Sequence, residues 1–186
     1  MAPRRPLTLL VPALVTVVLT GVLAPAPASA APAEIFSGTD AQSDVVITST
    51  SGLGTAKRKS IDLRTVRVLE VADGWRVEVG LKKLAPKGSS WDQMVFATFR
   101  RGSTVVADVG WTHRSDGLAY AYQHTTEEWC EIADVRRRKR RLSVVVPEAC
   151  LPDGRTKLRV ETATGHFRTD APVWSRDKKS FGKKIG

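Results

Sequence analysis

Residues 61–81 read IDLRTVRVLEVADGWRVEVGL. After Asp73-Gly74, Trp75, Val77, Val79 and Leu81 alternate with Arg76, Glu78 and Gly80. A period of two puts the first set on one face and the second on the other, which is the pattern of a half-buried strand. Before the turn, Leu63, Val66, Val68, Leu69 and Val71 dominate, with a change of phase at Val68-Leu69 that predicts a bulge. Asp-Gly is the dipeptide that a tight hairpin favours, because its central residues need positive φ. The stretch therefore reads as an antiparallel hairpin.

The same reading extends along the chain. Strand patterns recur at 44–48, 93–100, 104–112, 118–125, 128–135, 142–146 and 157–162, separated by turns such as Arg101-Gly102-Ser103, Arg114–Gly117 and Pro152-Asp153-Gly154. No helical pattern of any length stands out, and SGLGTAKRK (51–59) reads as a loop. With the hairpin, this makes about nine strands spaced roughly 8–12 residues apart, the signature of a sandwich or barrel. The predicted fold is all-β: an antiparallel two-sheet β-sandwich, jelly-roll or immunoglobulin-like in general architecture, with one disulfide.

The termini differ from this body. Arg4 and Arg5 precede an almost wholly apolar run, Leu7–Leu23, and APAPASA ends in the small-x-small pattern Ala28-Ser29-Ala30. That is the organisation of a secretory signal peptide, cut after Ala30. Residues 31–43 then read as a flexible N-terminus, 44–175 as the β-sandwich and 176–186 as a basic, frayed tail. The whole chain carries a formal net charge of +10. Removing residues 1–30 takes away two arginines and no acid, leaving an excess of about +8. An exported protein so basic is drawn to polyanions: anionic cell-wall or extracellular polymers are the expected partner. No nucleic-acid motif is present, no stable membrane span is expected after cleavage, and the sequence does not fix an oligomeric state.

Cys130 and Cys150 are the only cysteines. In an oxidising compartment two cysteines most simply pair, and closing that loop is worth about 3 kcal/mol in the chain-entropy model. Between them runs RRRKRR: Arg136, Arg137, Arg138, Lys139, Arg140 and Arg141. The run is expected at the tip of a hairpin formed by the strands on either side, with the disulfide at its foot. Six like charges cannot be buried, so solvation alone explains their polarity. It does not explain their single sign. They are the candidate anion-binding residues, with Lys57, Arg58, Lys59 and the C-terminal lysines as helpers.

Catalytic patterns are missing. G-x-S-x-G is absent, and His113, His124 and His166 lack metal-ligand spacing. His113 and Asp116 face each other only across a turn. Glu127 and Glu128 are adjacent, so in a strand they point apart and do not suit glycoside chemistry. Asp40 and Asp44 suggest a Ca²⁺ loop with backbone carbonyls, but the Asp-x-Asp-x-Asp density of such loops is lacking. No enzyme, cofactor or metal site is expected. Trp91, in APKGSSWDQ, reads as an exposed loop aromatic able to stack on a sugar ring, which gives the alternative of a carbohydrate-binding module. A protein-binding or inhibitor domain is the other alternative.

The segments IDLRTVRV, WRVEVGLKKL, a cysteine ahead of a strand, and LSVVVPEACL followed by a turn and TKLRVET resemble a group of small secreted actinobacterial proteins, predicted single β-sandwich domains of uncharacterised function. The resemblance spans about 44–175 and is sharpest at the V-P-x-x-C-L segment, Val146–Leu151. It implies the fold and export, and it brings no catalytic residue with it.

Overall fold

The computed structural model describes residues 31–48, 54–86, 89, 91–112, 119–132, 135–165 and 175–185. The proposed signal peptide, His113, Asp116, His166 and Trp174 lie outside them. Residues 31–186 form one compact unit. Its strands are β1 (Ala33–Thr39), β2 (Val46–Ile47), β3 (Leu63–Val71), β4 (Gly74–Leu81), β5 (Asp92–Arg101) and β6 (Thr104–Thr112). After these come β7 (Ala119–Gln123), β8 (Glu128–Glu131), β9 (Val135–Arg138), β10 (Arg141–Pro147), β11 (Thr156–Gly165) and β12 (Ser175–Ile185). One helical turn, α1 (Thr55–Arg58), runs into a 3₁₀ turn at Lys59–Ile61, where the sequence suggested a loop.

The strands form two antiparallel sheets, β1-β3-β4-β10-β9 and β2-β12-β11-β5-β6-β7-β8. Alternation puts one face of each against the other. Val66, Val68, Val77, Val79, Leu142, Val144 and Val146 come from the first sheet; Val95, Phe99, Val109, Trp111, Leu158 and Val160 come from the second. Trp75 packs on Phe99 at 5.9 Å between ring centroids. The all-β sandwich is therefore as the period-two pattern indicated, and the hairpin of 63–81 is β3–β4, turning at Ala72-Asp73 with Gly74 at φ 137°.

Several local expectations change. The predicted bulge at Val68-Leu69 lies instead across the ladder in β1, between Glu34 and Phe36. Leu69 simply faces outward, opposite Arg76, and is shielded there. The N-terminal residues 33–39 form an edge strand on β3 rather than a flexible lead. Residues 175–185 are the long strand β12, paired to β11, rather than a frayed tail. The expected strand 128–135 is two strands in different sheets, because the chain crosses from β8 to β9.

That crossing also moves the disulfide. Cys130 lies in β8 of the seven-stranded sheet, and Cys150 in a 3₁₀ turn after β10 of the five-stranded sheet. The bond therefore does not close the foot of one hairpin. It fastens β8, the edge strand of the seven-stranded sheet, to the 3₁₀ turn that follows β10 of the other sheet.

A cationic cleft on the five-stranded sheet, and an aromatic face on the other

The basic run does not project as one six-residue tip. β9 and β10 turn through only Lys139 and Arg140, with Lys139 in the left-handed region at φ 55°. The ladder pairs Arg138 with Arg141, Arg137 with Leu142 and Arg136 with Ser143. Partners in register share a face, so Arg137 follows Leu142 toward the core side while Arg136, Arg138 and Arg141 face outward. Arg137 donates to the carbonyl of Ala85, pinning the segment that follows β4. Arg141 lies 3.6 Å from Glu78, which also meets Arg67 at 3.5 Å. Arg67 in turn pairs with Glu34 at 2.6 Å, and its hydrogen bond, with a lesser one from Ser37, holds the Glu34 carboxyl below the usual range. The six residues thus divide into structural and available ones.

Three chain segments distant in sequence are laced together beside this turn. Leu81 N donates to Arg140 O (2.9 Å), Lys82 N to Asp62 O (2.9 Å) and Lys83 N to Ser60 O (3.1 Å). Gln93, fully buried, reinforces the join by donating to Ser60 Oγ and Lys83 O and accepting from Ala85 N. The result is a cleft of about 1010 Å³ whose lining includes Lys59, Arg64, Lys82, Lys83, Arg140 and Arg141 and, among the described residues, no acid. Arg64 is paired to Asp62 at 2.8 Å. Lys59, Lys82, Lys83 and Arg140 have no ion-pair partner among the described residues.

The floor of the cleft is made of small groups. Gly80 and Thr65 lie opposite each other on the outer face, and a Cβ at Gly80 would come within 2.3 Å of Thr65 Oγ1. A second hollow of about 320 Å³, lined by Ser37, Thr39 and Arg67, adjoins it through Thr65 and Arg141. Together they make a shallow track across the outer face with hydroxyls on its floor and cations on its walls. Among the expected helpers, only Lys59 lines the cleft. Arg58 is buried, with its carbonyl accepting from Ser175 Oγ, and Lys57 borders a separate small cavity. The lysines of β12 belong to the other sheet.

Trp91 is not an exposed platform. It is 5% exposed and packs on Ala85, beneath the loop that Arg137 holds. The polar, glycine-rich surroundings suggested exposure, but the indole is the covering group of a small satellite cluster. The exposed aromatics lie on the outer face of the seven-stranded sheet, where register aligns Tyr122 with Trp129 and Asp108, and Tyr120 with Gly110. Trp129 is 68% exposed, 4.6 Å from Tyr122 and 5.6 Å from Tyr120 between ring centroids. A Cβ at Gly110 would meet the Tyr120 ring at 2.5 Å, so that ring lies across the glycine. His124 Nε2 is 2.5 Å from Asp108 Oδ1. Burial first, and then the Asp108 charge and hydrogen bond, push the Tyr120 hydroxyl up to about 12. This group was half legible: the alternation of 118–125 puts Tyr120 and Tyr122 on one face, but only the β7–β8 register adds Trp129.

Comparison with known protein families, with curated proteins and with solved structures finds no match. Among the described residues no helix is long and apolar enough to cross a membrane.

Proposed function

We propose that this chain is an extracellular, non-catalytic binding protein whose cationic cleft takes a linear polymer bearing phosphate or sulfate groups. The single observation that carries this reading is the convergence of Lys59, Lys82, Lys83 and Arg140 on one cleft that, among the described residues, no acid lines. The backbone bonds joining the three segments set these charges in place before any ligand arrives, so less ordering opposes association. On the floor the Thr65 side chain lies over Gly80, and its hydroxyl is a hydrogen-bond partner for oxyanions. Arginine adds forked donation to phosphate or sulfate, while lysine adds point charge. The proposed place of work, outside the cell, is supported by the signal-peptide-like N-terminus and by a disulfide that persists in oxidising surroundings.

Binding of this kind releases condensed counterions, so log K falls linearly with log salt. With four contacts the slope is about −3, and affinity for a long-chain polyphosphate should fall roughly 50-fold between 50 and 200 mM NaCl. A titration at several salt concentrations measures this, and a slope near zero overturns the reading.

A second reading is favoured by the aromatic face. Trp129 and Tyr122 offer ring surface, with Asp108 and His124 as hydrogen-bonding groups beside them, the combination that holds a neutral sugar. It replaces the assignment to Trp91. Binding there would be indifferent to salt and would change Trp129 emission.

A further inference from the structure

We propose that Asp40, Asp44 and Asp177 form a calcium site that fastens β1, at the edge of one sheet, to β12 of the other. Each offers a carboxylate oxygen, and these oxygens all lie within 4.8 Å of one another. They come from three places: the end of β1, the connection to β2, and β12. Ser43, at φ 70°, turns the connection, and its N–H donates to Asp62 Oδ2 at 3.1 Å. Asp177 Oδ2 accepts from Leu63 N at 2.6 Å, so its carboxylate is fixed from the first sheet although its strand belongs to the second.

Proximity of acids alone is common and needs no ion. What sets this group apart is Asp40, whose side chain is 0% exposed and whose Oδ2 has no hydrogen-bond partner. A buried carboxylate oxygen with nothing to bind is costly, and an ion is one of the few partners that resolves it. Charge agrees. Lys179 Nζ lies 3.1 Å from Asp40 Oδ1 and offsets one of the three negative charges, leaving an excess that matches a divalent cation. Behind the group, Asp62 is fully buried and its Oδ1 is also without a partner. The crowding is felt at Asp177, where burial, followed by the charges of Asp44 and Asp40, pushes the carboxyl up to about 6.

The donors are hard oxygens with no imidazole or thiolate among them, which suits Ca²⁺ or Mg²⁺ rather than a transition metal. A loop, the end of one strand and the start of another supply an irregular set of ligands. Ca²⁺ tolerates such geometry and takes six to eight ligands, whereas Mg²⁺ demands a near-ideal octahedron. The ion would be a second fastener between the sheets. Cys130–Cys150 joins the β8 and β10 side, and calcium would join the β1 and β12 side. This site is independent of what occupies the cationic cleft.

The test is thermal melting of the purified protein after removal of divalent ions, with and without CaCl₂ at constant ionic strength. Calcium at a hundredfold excess over Kd should raise Tm by roughly 5–10 °C, and calorimetric titration should give one site. Asp44→Asn, at an exposed position that leaves the fold undisturbed, should abolish both the shift and the titration signal while keeping the calcium-free Tm at least as high. The proposal is overturned if calcium leaves Tm unchanged, if Asp44→Asn keeps the full shift, or if MgCl₂ at equal concentration gives the same rise.

Discussion

The triple variant Lys82→Glu/Lys83→Glu/Arg140→Glu should bind a phosphate or sulfate polymer roughly 100-fold more weakly than the parent in 0.1 M salt. All three side chains are exposed, and none has an ion-pair partner among the described residues, so the fold has no reason to suffer. Reversing an exposed charge removes one attraction and adds one repulsion, worth about 1 kcal/mol at this ionic strength. Three such changes give about 3 kcal/mol, or two decades in Kd. The comparison that makes this sharp is a second triple variant, Arg176→Glu/Lys178→Glu/Lys184→Glu. It has the same net charge, but its changes lie on exposed positions of β12 in the other sheet. A cleft-specific mechanism leaves that variant within about fivefold of the parent. Equal losses in the two variants would mean that overall charge, not the cleft, drives association.

Loss of the disulfide should have the largest effect on stability. Replacing both cysteines by alanine should cost about 3 kcal/mol and lower Tm by roughly 6–12 °C. The cross-link spans a sequence separation of 20 and joins the two sheets, so its absence frees the edge at which β8 would otherwise be held. β8 is only four residues long and pairs on one side only, with β7, which leaves little else to keep it in register. Cys150 is 0% exposed, so reduction of the native protein should be slow in mild thiol and fast once the chain unfolds. A double variant melting within 2 °C of the parent would contradict the role assigned to the bond.

What could be read from the sequence followed the strength of the alternation. β4, with Trp75, Val77, Val79 and Leu81, and β5, with Val95, Ala97 and Phe99, declare one buried face each, and both appeared as expected. β12 could not be seen, because its inward positions include Ser175, Asp177 and Lys179 while lysines crowd the rest. A strand with so little beside it, only Val46 and Ile47 of β2 on one side, is protected by charge rather than marked by hydrophobicity. β1 was hidden for another reason. At Gly38 the Phe181 ring occupies the space a side chain would need, 2.5 Å from a Cβ, so the apolar residue that would reveal the pattern belongs to another strand.

The site was less legible than the fold. RRRKRR is plain in the sequence, yet only Arg140 and Arg141 of the six line the cleft. Lys59, Arg64, Lys82 and Lys83 join them because β10 pairs with β4, and β4 with β3. That is a fact of strand order, which local pattern does not carry. Trp91 failed because composition reports the solubility of a loop, not which of its residues turns inward. Asp177 failed likewise: Asp40 and Asp44 are near neighbours in sequence, but the third acid comes from a strand whose pairing was not foreseen.

The central claim is that polyanions lie in the cleft over Gly80 and Thr65. Its most direct test is a titration of ¹⁵N-labelled protein with a sulfated tetrasaccharide in 0.1 M NaCl, followed by amide chemical shifts. The expected result is perturbation concentrated at Thr65, Gly80, Lys82, Lys83 and Arg140. Shifts centred on Tyr120, Tyr122 and Trp129, or spread evenly along the basic residues of β12, would contradict it.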